Sequence, residues 1–169
     1  MATTSTSRAP WTQTVAAAGP WLGLTARLVL AVMWFMAAKS KLPDPDASVR
    51  SVRAFRLLPE ALAVPVGLGL PVLELALAVL IGIGIFTRVS SVVTVLLMVA
   101  FTIGIASVWQ RGLSIDCGCF GGGGQVDPGQ TRYPQEIARD ILFALFGAYL
   151  VWRPDTLWSM DRRLGLTGR

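Results

Sequence analysis

The chain has 169 residues, of which 53% are hydrophobic and 15% charged, with a mean hydropathy of +0.59 and a net charge of +5. This composition is too apolar for an ordinary soluble domain and indicates an integral membrane protein. The sequence contains no histidine, which excludes Ser-His-Asp and Cys-His catalysis and His-ligated haem or zinc. Because the basic residues lie between apolar segments, as is usual beside membrane spans, no nucleic-acid partner is expected.

Four apolar segments dominate the chain. Residues 1–20 precede them, rich in Thr, Ser and Ala and without periodicity, so we predict a disordered N-terminal tail. The apolar segments are predicted to be membrane helices over residues 21–38, 61–86, 89–109 and 137–152. Residues 153–169 are predicted to form a basic C-terminal tail. The predicted fold class is therefore an all-α integral membrane protein, a four-transmembrane-helix bundle over residues 21–152 in the lipid bilayer.

Two longer connections separate these segments. Residues 39–60 are basic and carry an apolar stripe at helical spacing, which predicts an amphipathic helix on the membrane surface after helix 1; the stripe is Val49, Val52, Phe55 and Leu58. The loop between helices 3 and 4 holds a Cys-Gly-Cys segment. Lys and Arg are divided almost equally between the two sides, so charge does not decide the orientation. Paired cysteines favour an extracytoplasmic compartment, so we predict this loop outside and both termini in the cytoplasm.

Cys117 and Cys119, the only cysteines, flank Gly118 in the most glycine-rich segment. A thiolate is a nucleophile and a soft metal ligand. The two Cα atoms lie at most about 7 Å apart, so a disulfide between them needs a tight turn, which glycine permits. A strained disulfide is labile and suits exchange. The alternatives are inert reduced thiols, or half a metal site completed by another chain; with two soft ligands, no metal site is predicted within this chain.

Two charged residues lie inside the predicted helices. Arg27 is in the first and Glu74 near the middle of the second, where a charge is costly and normally faces the protein interior or a partner. Pro65 and Pro71 precede Glu74 and predict a kink there. We hypothesise that Glu74 pairs with Arg27 or accepts a proton near the cysteines. Arg27 is equally consistent with snorkelling to the membrane interface.

Other charged residues flank the cysteine side of the bundle. Lys39 and Lys41 end the first helix, and Arg139 and Asp140 begin the fourth. Cations near a thiol lower its pKa, so Arg139, Lys39 or Lys41 are candidates to activate a cysteine. The same residues are also ordinary interfacial anchors.

Three short segments carry a resemblance to a known family. They are Lys-Leu-Pro-Asp-Pro at residues 41–45, Leu-Pro-Val-Leu-Glu at residues 70–74, and Asp-Cys-Gly-Cys-Phe-Gly at residues 116–121. With the four spans, they resemble the MauE branch of the DoxX-like membrane proteins over roughly residues 21–152. The positions that the resemblance marks are Lys41, Asp44, Pro45, Glu74, Cys117, Cys119, Phe120 and Gly121.

The resemblance implies a bacterial multi-pass cell-membrane protein associated with redox chemistry. In methylamine utilisation, such a protein and a thioredoxin-like partner are needed to mature the disulfide-rich small subunit of methylamine dehydrogenase. Relatives also occur outside that pathway, so the resemblance implies redox association more firmly than it implies methylamine.

The leading hypothesis is a membrane thiol–disulfide oxidoreductase that works with an extracytoplasmic thioredoxin-like protein. Cys117 and Cys119 are the predicted exchanging pair. The predicted supporting residues are Glu74, Arg27, Lys41, Arg139 and Asp140. A membrane quinone is a candidate electron source or sink, although no residue identifies a quinone site. The alternatives are a non-enzymatic membrane scaffold for a partner oxidoreductase and a small-molecule transporter whose polar site uses Glu74 and Arg27.

Overall fold

The protein is described by a computed structural model that covers residues 10–120, 122–154 and 156–165 and is mostly helical. Its elements in chain order are α1 (Pro10–Lys41), α2 (Pro45–Ala54), α3 (Glu60–Ile83), α4 (Thr87–Gln110), β1 (Ile115–Asp116), β2 (Gly124–Gln125), α5 (Tyr133–Trp152) and α6 (Met160–Arg163). Within these ranges, three helices are long and apolar enough to cross a bilayer: the Gly19–Lys41 part of α1, α3 and α4. The prediction of an all-α, multi-pass membrane protein is therefore confirmed.

Both ends of the chain differ from the predicted tails. α1 begins at Pro10, so residues 10–20 are helical where a disordered tail was predicted; residues 1–9 lie outside the described residues. The alanines at residues 16–18 favour this extension, because alanine has the highest helix propensity. Residues 153–169 were predicted as a tail, but Thr156 and Asp161 within them are buried.

The apolar core lies between the long helices. α4 packs along α5 and α1 along α3, and α1 also contacts α5. The buried side chains at the centre of this bundle are Ala26, Leu30, Met33, Trp34, Ala37, Leu77, Ala78, Ile81, Met98 and Leu150. The indole of Trp34 donates a hydrogen bond to Thr94 Oγ1 at 3.0 Å, so its polar atom is satisfied inside the bundle. Exposed side chains such as Val72, Leu96 and Ile103 are apolar, which fits a lipid-facing surface.

The helix after α1 packs on the protein. α2 begins at its N-cap Asp44, whose Oδ1 accepts a hydrogen bond from Ala47 N at 2.9 Å, and Pro45 stands in its first turn. Its residues Ser48, Val49 and Ser51 are buried, largely against α3. The sequence correctly indicated an amphipathic segment here, but Val49 of the predicted membrane-facing stripe is turned towards α3 instead.

A glycine and a proline in α3 explain that packing. A Cβ at Gly67 would lie 2.6 Å from Val49 Cα, so only glycine admits α2 at this distance. Pro71 has no N–H, which leaves the Gly67 carbonyl, four residues earlier, without its helical donor. Ser48 Oγ donates to that carbonyl at 2.7 Å and satisfies it. The contact places α2 about two turns of α3 away from Glu74.

The carboxy-terminal segment packs against the turn between α3 and α4, at the end of the bundle away from α2. Both carboxylate oxygens of Asp161 accept hydrogen bonds at 2.8 Å, from Phe86 N and Thr87 N at the start of α4. The Gly84 carbonyl accepts from Ser159 Oγ and from Asp161 N, each at 2.9 Å. Asp161 therefore caps α4 from a distant part of the chain and fixes residues 159–161 to the turn between α3 and α4.

Candidate functional site

Both cysteines lie in the segment between α4 and α5, directly after β1. β1 pairs antiparallel with β2, with Ile115 opposite Gln125. Tyr133, the first residue of α5, holds this hairpin in place: its hydroxyl donates to Leu113 O at 2.6 Å and accepts from Ile115 N at 2.9 Å. The hydrogen bonds fix the chain on the amino-terminal end of α5, and Cys117 and Cys119 therefore sit over the end of the helix bundle as two free thiols.

Gly118 lets the loop turn between the two cysteines. Its φ of +67° lies in the left-handed region that favours glycine, and its N–H donates to Asp116 Oδ1 at 3.0 Å. A Cβ on Gly118 would lie 2.6 Å from Ser51 Oγ, and Gly123 lies against the same hydroxyl. The loop backbone thus rests on α2 at a distance that no larger residue allows.

Cys117 is 9% exposed and has charged neighbours. Arg139 Nη2 lies 3.9 Å from its sulfur. The sulfur and one carboxylate oxygen each of Asp116 and Glu136 all lie within 4.8 Å of one another. The pKa of Cys117 is lowered, chiefly by the hydrogen bond from the Cys119 thiol and with a smaller contribution from the Arg139 guanidinium, against the opposing effect of burial. Cys117 is therefore the thiol that ionises more readily.

Glu136 and Asp116 also border an open groove. The groove has a volume of about 610 Å³ and is lined by Ile115, Asp116, Val126, Gly129, Gln130, Arg132 and Glu136. It provides polar space for another molecule beside Cys117. The thiol and two carboxylates could also ligate a metal, a set that counting the soft ligands in the sequence did not anticipate.

Cys119 lies against the interior of the bundle. It lines a cavity of about 10 Å³ together with Glu74, Arg139, Asp140 and apolar side chains that include Trp34. The pKa of Cys119 is raised well above its usual value, because its thiol hydrogen-bonds to Cys117 and because the sulfur is desolvated, although the residue as a whole is less buried than Cys117. The pKa values of the two thiols, which are separated by one residue, are therefore shifted in opposite directions.

Arg139 connects the two cysteine environments. Its Nε and Nη2 donate to Asp140 Oδ1 at 3.2 and 3.1 Å, and its guanidinium carbon lies 4.8 Å from the centre of the Phe120 ring. With Nη2 also at Cys117, the side chain is held by an ion pair and a cation–π contact. The structure thus brings the predicted residues Arg139 and Asp140 to the cysteines.

Glu74 is fully buried and forms an ion pair with Lys41 through Oε1. Lys41, which is 7% exposed, also lines a cavity of about 40 Å³ with both cysteines. Lys39, the other predicted activating lysine, is exposed. The polar centre beside the cysteines therefore contains Lys41 and Glu74, but Lys39 has no part in it.

The hypothesis that Glu74 pairs with Arg27 is wrong. The Arg27 guanidinium donates to Thr156 Oγ1 at 2.6 Å and to the Leu157 carbonyl at 3.3 Å, and it lies against Gly84. Gly84 follows Glu74 by ten residues of helix, or about 15 Å. The two charges therefore occupy opposite ends of the bundle, and a transport site built from both is not formed.

Glu136 and the α2 serines were missed by sequence analysis. Glu136 precedes Arg139 and Asp140 by three and four residues, so the periodicity of α5 places all three on one helical face and could have indicated it. Ser48 and Ser51 carry no such signal, because their partners Gly67 and Gly118 are distant in the sequence.

Comparison with known proteins shows the family of the chain. Residues 19–153 match the family described as methylamine utilisation protein MauE. The chain belongs to the MauE family. The resemblance identified from its motifs is thereby confirmed at the level of the family.

Two relatives named "Methylamine utilization protein MauE" are similar to this family member. The one from Methylorubrum extorquens is 39% identical over 107 residues, which cover 63% of this chain and 58% of the relative. The one from Paracoccus denitrificans is 37% identical over 98 residues, covering 57% of this chain and 53% of the relative. The matches thus span little more than half the length of either relative. No solved structure matches the chain significantly.

Proposed function

We propose that this MauE family member is a membrane thiol–disulfide oxidoreductase that exchanges electrons with an extracytoplasmic thioredoxin-like protein. The observation that carries the proposal is the asymmetry of the cysteine pair. Cys117 has a lowered pKa, a cation at 3.9 Å and neighbours that border an open groove, whereas Cys119 has a raised pKa and lines the inner cavity with Glu74 and Asp140. Exchange needs one thiol that attacks as a thiolate and a second that resolves the mixed disulfide.

The exchange balances within the two proteins. The Cys117 thiolate attacks one sulfur of the partner's disulfide, forms a mixed disulfide and releases the partner's other sulfur as a thiolate. Cys119 loses its proton and attacks Cys117 Sγ, which forms the Cys117–Cys119 disulfide and releases the second partner thiolate. The membrane protein loses two electrons and the partner's disulfide is reduced by two; the same steps in reverse oxidise the partner. Glu136 is placed to take the proton of Cys117.

The names of the two relatives extend the proposal to methylamine utilisation. The client implied by the family resemblance is the small subunit of methylamine dehydrogenase, whose disulfides the exchange would help to form. Its maturation would require the cysteine loop on the side of the membrane where the client folds. We therefore propose that the loop is extracytoplasmic and both termini are cytoplasmic.

This topology requires α5 to be a fourth span. α5 starts at Tyr133, which is bonded to the loop that follows α4, and it leads to Asp161, which caps the other end of α4. Because α5 is joined to both ends of α4 by these contacts, they support an α5 that runs along the whole length of α4. Glu136, Arg139 and Asp140 make its first turns polar, but the protein interior and the cysteine loop surround Asp140.

The test uses the full-length protein in membrane nanodiscs and purified oxidised protein disulfide isomerase, a thioredoxin-like protein with an oxidising disulfide, as the probe. The reduced wild type should reduce the disulfide of this probe, and Cys119→Ser should accumulate a mixed disulfide through Cys117. Cys117→Ser should do neither, and Ser114→Ala, which keeps both thiols, should behave as the wild type. Exchange is followed by acid quenching, alkylation and electrophoresis.

Two results would overturn the proposal. One is a wild-type pair that stays reduced in the presence of the probe and of an oxidising glutathione buffer. The other is a Cys117→Ser/Cys119→Ser protein that supports maturation in cells as well as the wild type does. The second result would favour the scaffold alternative.

A further inference from the structure

The cavity at Cys119 is bordered by two buried carboxylates that are only partly hydrogen-bonded. Glu74 is 0% exposed and Asp140 2% exposed. Glu74 Oε1 pairs with Lys41, and Asp140 Oδ1 accepts from Arg139. Among the described residues, Glu74 Oε2 and Asp140 Oδ2 have no hydrogen-bond partner. Such buried polar atoms normally bind an ordered water or take part in chemistry.

The cavity has room for such a water. Its volume of about 10 Å³ is close to what one water molecule requires. A buried water also needs two to four polar partners, and Glu74, Asp140 and the Cys119 thiol all line this space. The rest of the lining is largely aromatic or thioether, and these side chains exclude further water.

We propose that Glu74 and Asp140 hold one water at Cys119 and that this group accepts the Cys119 proton when the thiol resolves a mixed disulfide. The inference rests on the proposed function. It assigns the two thiols to separate proton acceptors, with Cys117 beside Glu136, which borders the groove, and Cys119 in the lining of the cavity that Glu74 and Asp140 share.

The surrounding charges suit this role. The titratable and charged groups around Cys119 are Lys41 on α1, Glu74 on α3, Arg139 and Asp140 on α5, and Cys117 in the loop. α2 contributes only the hydroxyls of Ser48 and Ser51, and α4 only apolar side chains. Two cations and two carboxylates leave the cluster neutral, and moving the Cys119 proton onto a carboxylate keeps it neutral as long as the Cys119 thiolate is present.

The proton and the electrons follow different routes. The Cys119 proton passes through the water to a carboxylate, while the sulfur attacks Cys117 Sγ. The bond from Cys117 to the partner's sulfur breaks, and its electron pair leaves with that sulfur. No oxidant beyond the partner's disulfide is consumed. Without an inner acceptor, the thiol with the raised pKa would have to lose its proton to bulk water.

The test separates the two thiol steps with dithiobis(nitrobenzoate), a small aromatic disulfide. The reduced full-length protein in nanodiscs should release the coloured thiol in two phases, first when Cys117 attacks and then when Cys119 displaces the second half. Glu74→Gln should leave the first phase unchanged and slow the second about 100-fold at neutral pH, the lower range of what a positioned proton acceptor contributes. Asp140→Asn should also slow the second phase.

The pH dependence distinguishes proton transfer from a loss of packing. In Glu74→Gln the second phase should rise in proportion to hydroxide over the whole range, whereas in the wild type it should level off. Glu60→Gln, an exposed carboxylate on the same helix, is the matched control and should have no effect. If Glu74→Gln does not fold, Lys41→Met/Glu74→Gln removes the ion pair as a unit and should show the same selective slowing.

Each contrary result has a distinct meaning. A second phase that keeps the wild-type rate and pH profile in these variants overturns the inner acceptor but leaves the proposed function standing. A wild-type protein that releases no thiol overturns the proposed function, and this inference with it.

Discussion

At the scale of single residues, the site depends on two identical side chains having different surroundings. Cys117 has Arg139 Nη2 at 3.9 Å and accepts the hydrogen bond of its neighbour, whereas Cys119 donates that bond and borders an inner cavity. Gly118 makes this possible, because its left-handed conformation turns the chain between them. In the proposed exchange, this difference would set the order in which the two thiols attack.

The hydrogen bond between the thiols predicts a shift that can be measured. It is the largest cause of the lowered pKa of Cys117, so Cys119→Ala should raise that pKa and move the pH profile of Cys117 alkylation to higher pH. Cys119→Ser keeps a donor and should stay closer to the wild type. The rate of alkylation is followed across a pH series. Equal profiles for the two variants would show that the bond has no such effect.

At the scale of elements, the position of the cysteine loop depends on how α2 packs. Ser51 touches Gly118 and Gly123, while Val49 and Ser48 on the same helix contact Gly67 of α3. α2 is therefore clamped between a membrane helix and the loop. A change on α3, remote from the cysteines in sequence, should reach them through this helix.

Gly67→Ala tests that connection. Its Cβ would lie 2.6 Å from Val49 Cα, and forcing apart close-packed backbones should cost about 1–3 kcal/mol. We expect a lower thermal unfolding temperature and faster alkylation of the cysteines as α2 moves away from the loop. Gly69→Ala is the matched control, because a Cβ there meets nothing within 4 Å on the same helix. Equal effects of both substitutions would count against the clamp.

Sequence reasoning was most successful where a pattern is local. The long apolar segments predicted α3 and α4, and the Cys-Gly-Cys spacing predicted the turn at Gly118. Sequence reasoning failed where tertiary contacts decide which residues pair with each other. Arg27 lies inside the first predicted span and Lys41 beyond its end, and nothing in their neighbourhoods indicated that Lys41 is the cation beside Glu74. The bond from Ser48 to Gly67 likewise exists only after α2 has docked.

At the scale of the whole molecule, the two ends of the bundle have different polar structures. One end holds the cysteines with Lys41 and Glu74, and the other holds Arg27 with the carboxy-terminal segment. The second set holds the carboxy-terminal segment against the bundle. Asp161 caps α4, and Arg27 donates hydrogen bonds to the hydroxyl of residue 156 and to the carbonyls of residues 157 and 158. The residues of the proposed thiol site are therefore separate from those that hold the carboxy-terminal segment.

Asp161→Ala tests whether the two ends of the bundle are independent. It leaves the N–H groups of Phe86 and Thr87 without their acceptor, and loss of a helix N-cap costs about 1 kcal/mol. We expect a lower thermal unfolding temperature with unchanged rates of cysteine alkylation, because the cap lies at the far end. Asp127→Ala, at an exposed loop position, provides the comparison. Altered cysteine reactivity in Asp161→Ala alone would contradict the separation.

The proposed membrane topology can be tested with single cysteines introduced into a Cys117→Ser/Cys119→Ser protein, which has no other thiol. Thr131→Cys probes the loop side, while Arg88→Cys and Arg163→Cys probe the two segments that Asp161 joins at the other side. A membrane-impermeant thiol reagent should label Thr131→Cys in intact cells and the other two only after permeabilisation. With α3 and α4 as membrane spans, which their length and composition allow, labelling of Arg163→Cys together with Thr131→Cys would mean that α5 does not cross. Labelling of Arg88→Cys and Arg163→Cys but not Thr131→Cys would keep four spans and invert the orientation, placing the dithiol in the cytosol and removing an extracytoplasmic partner.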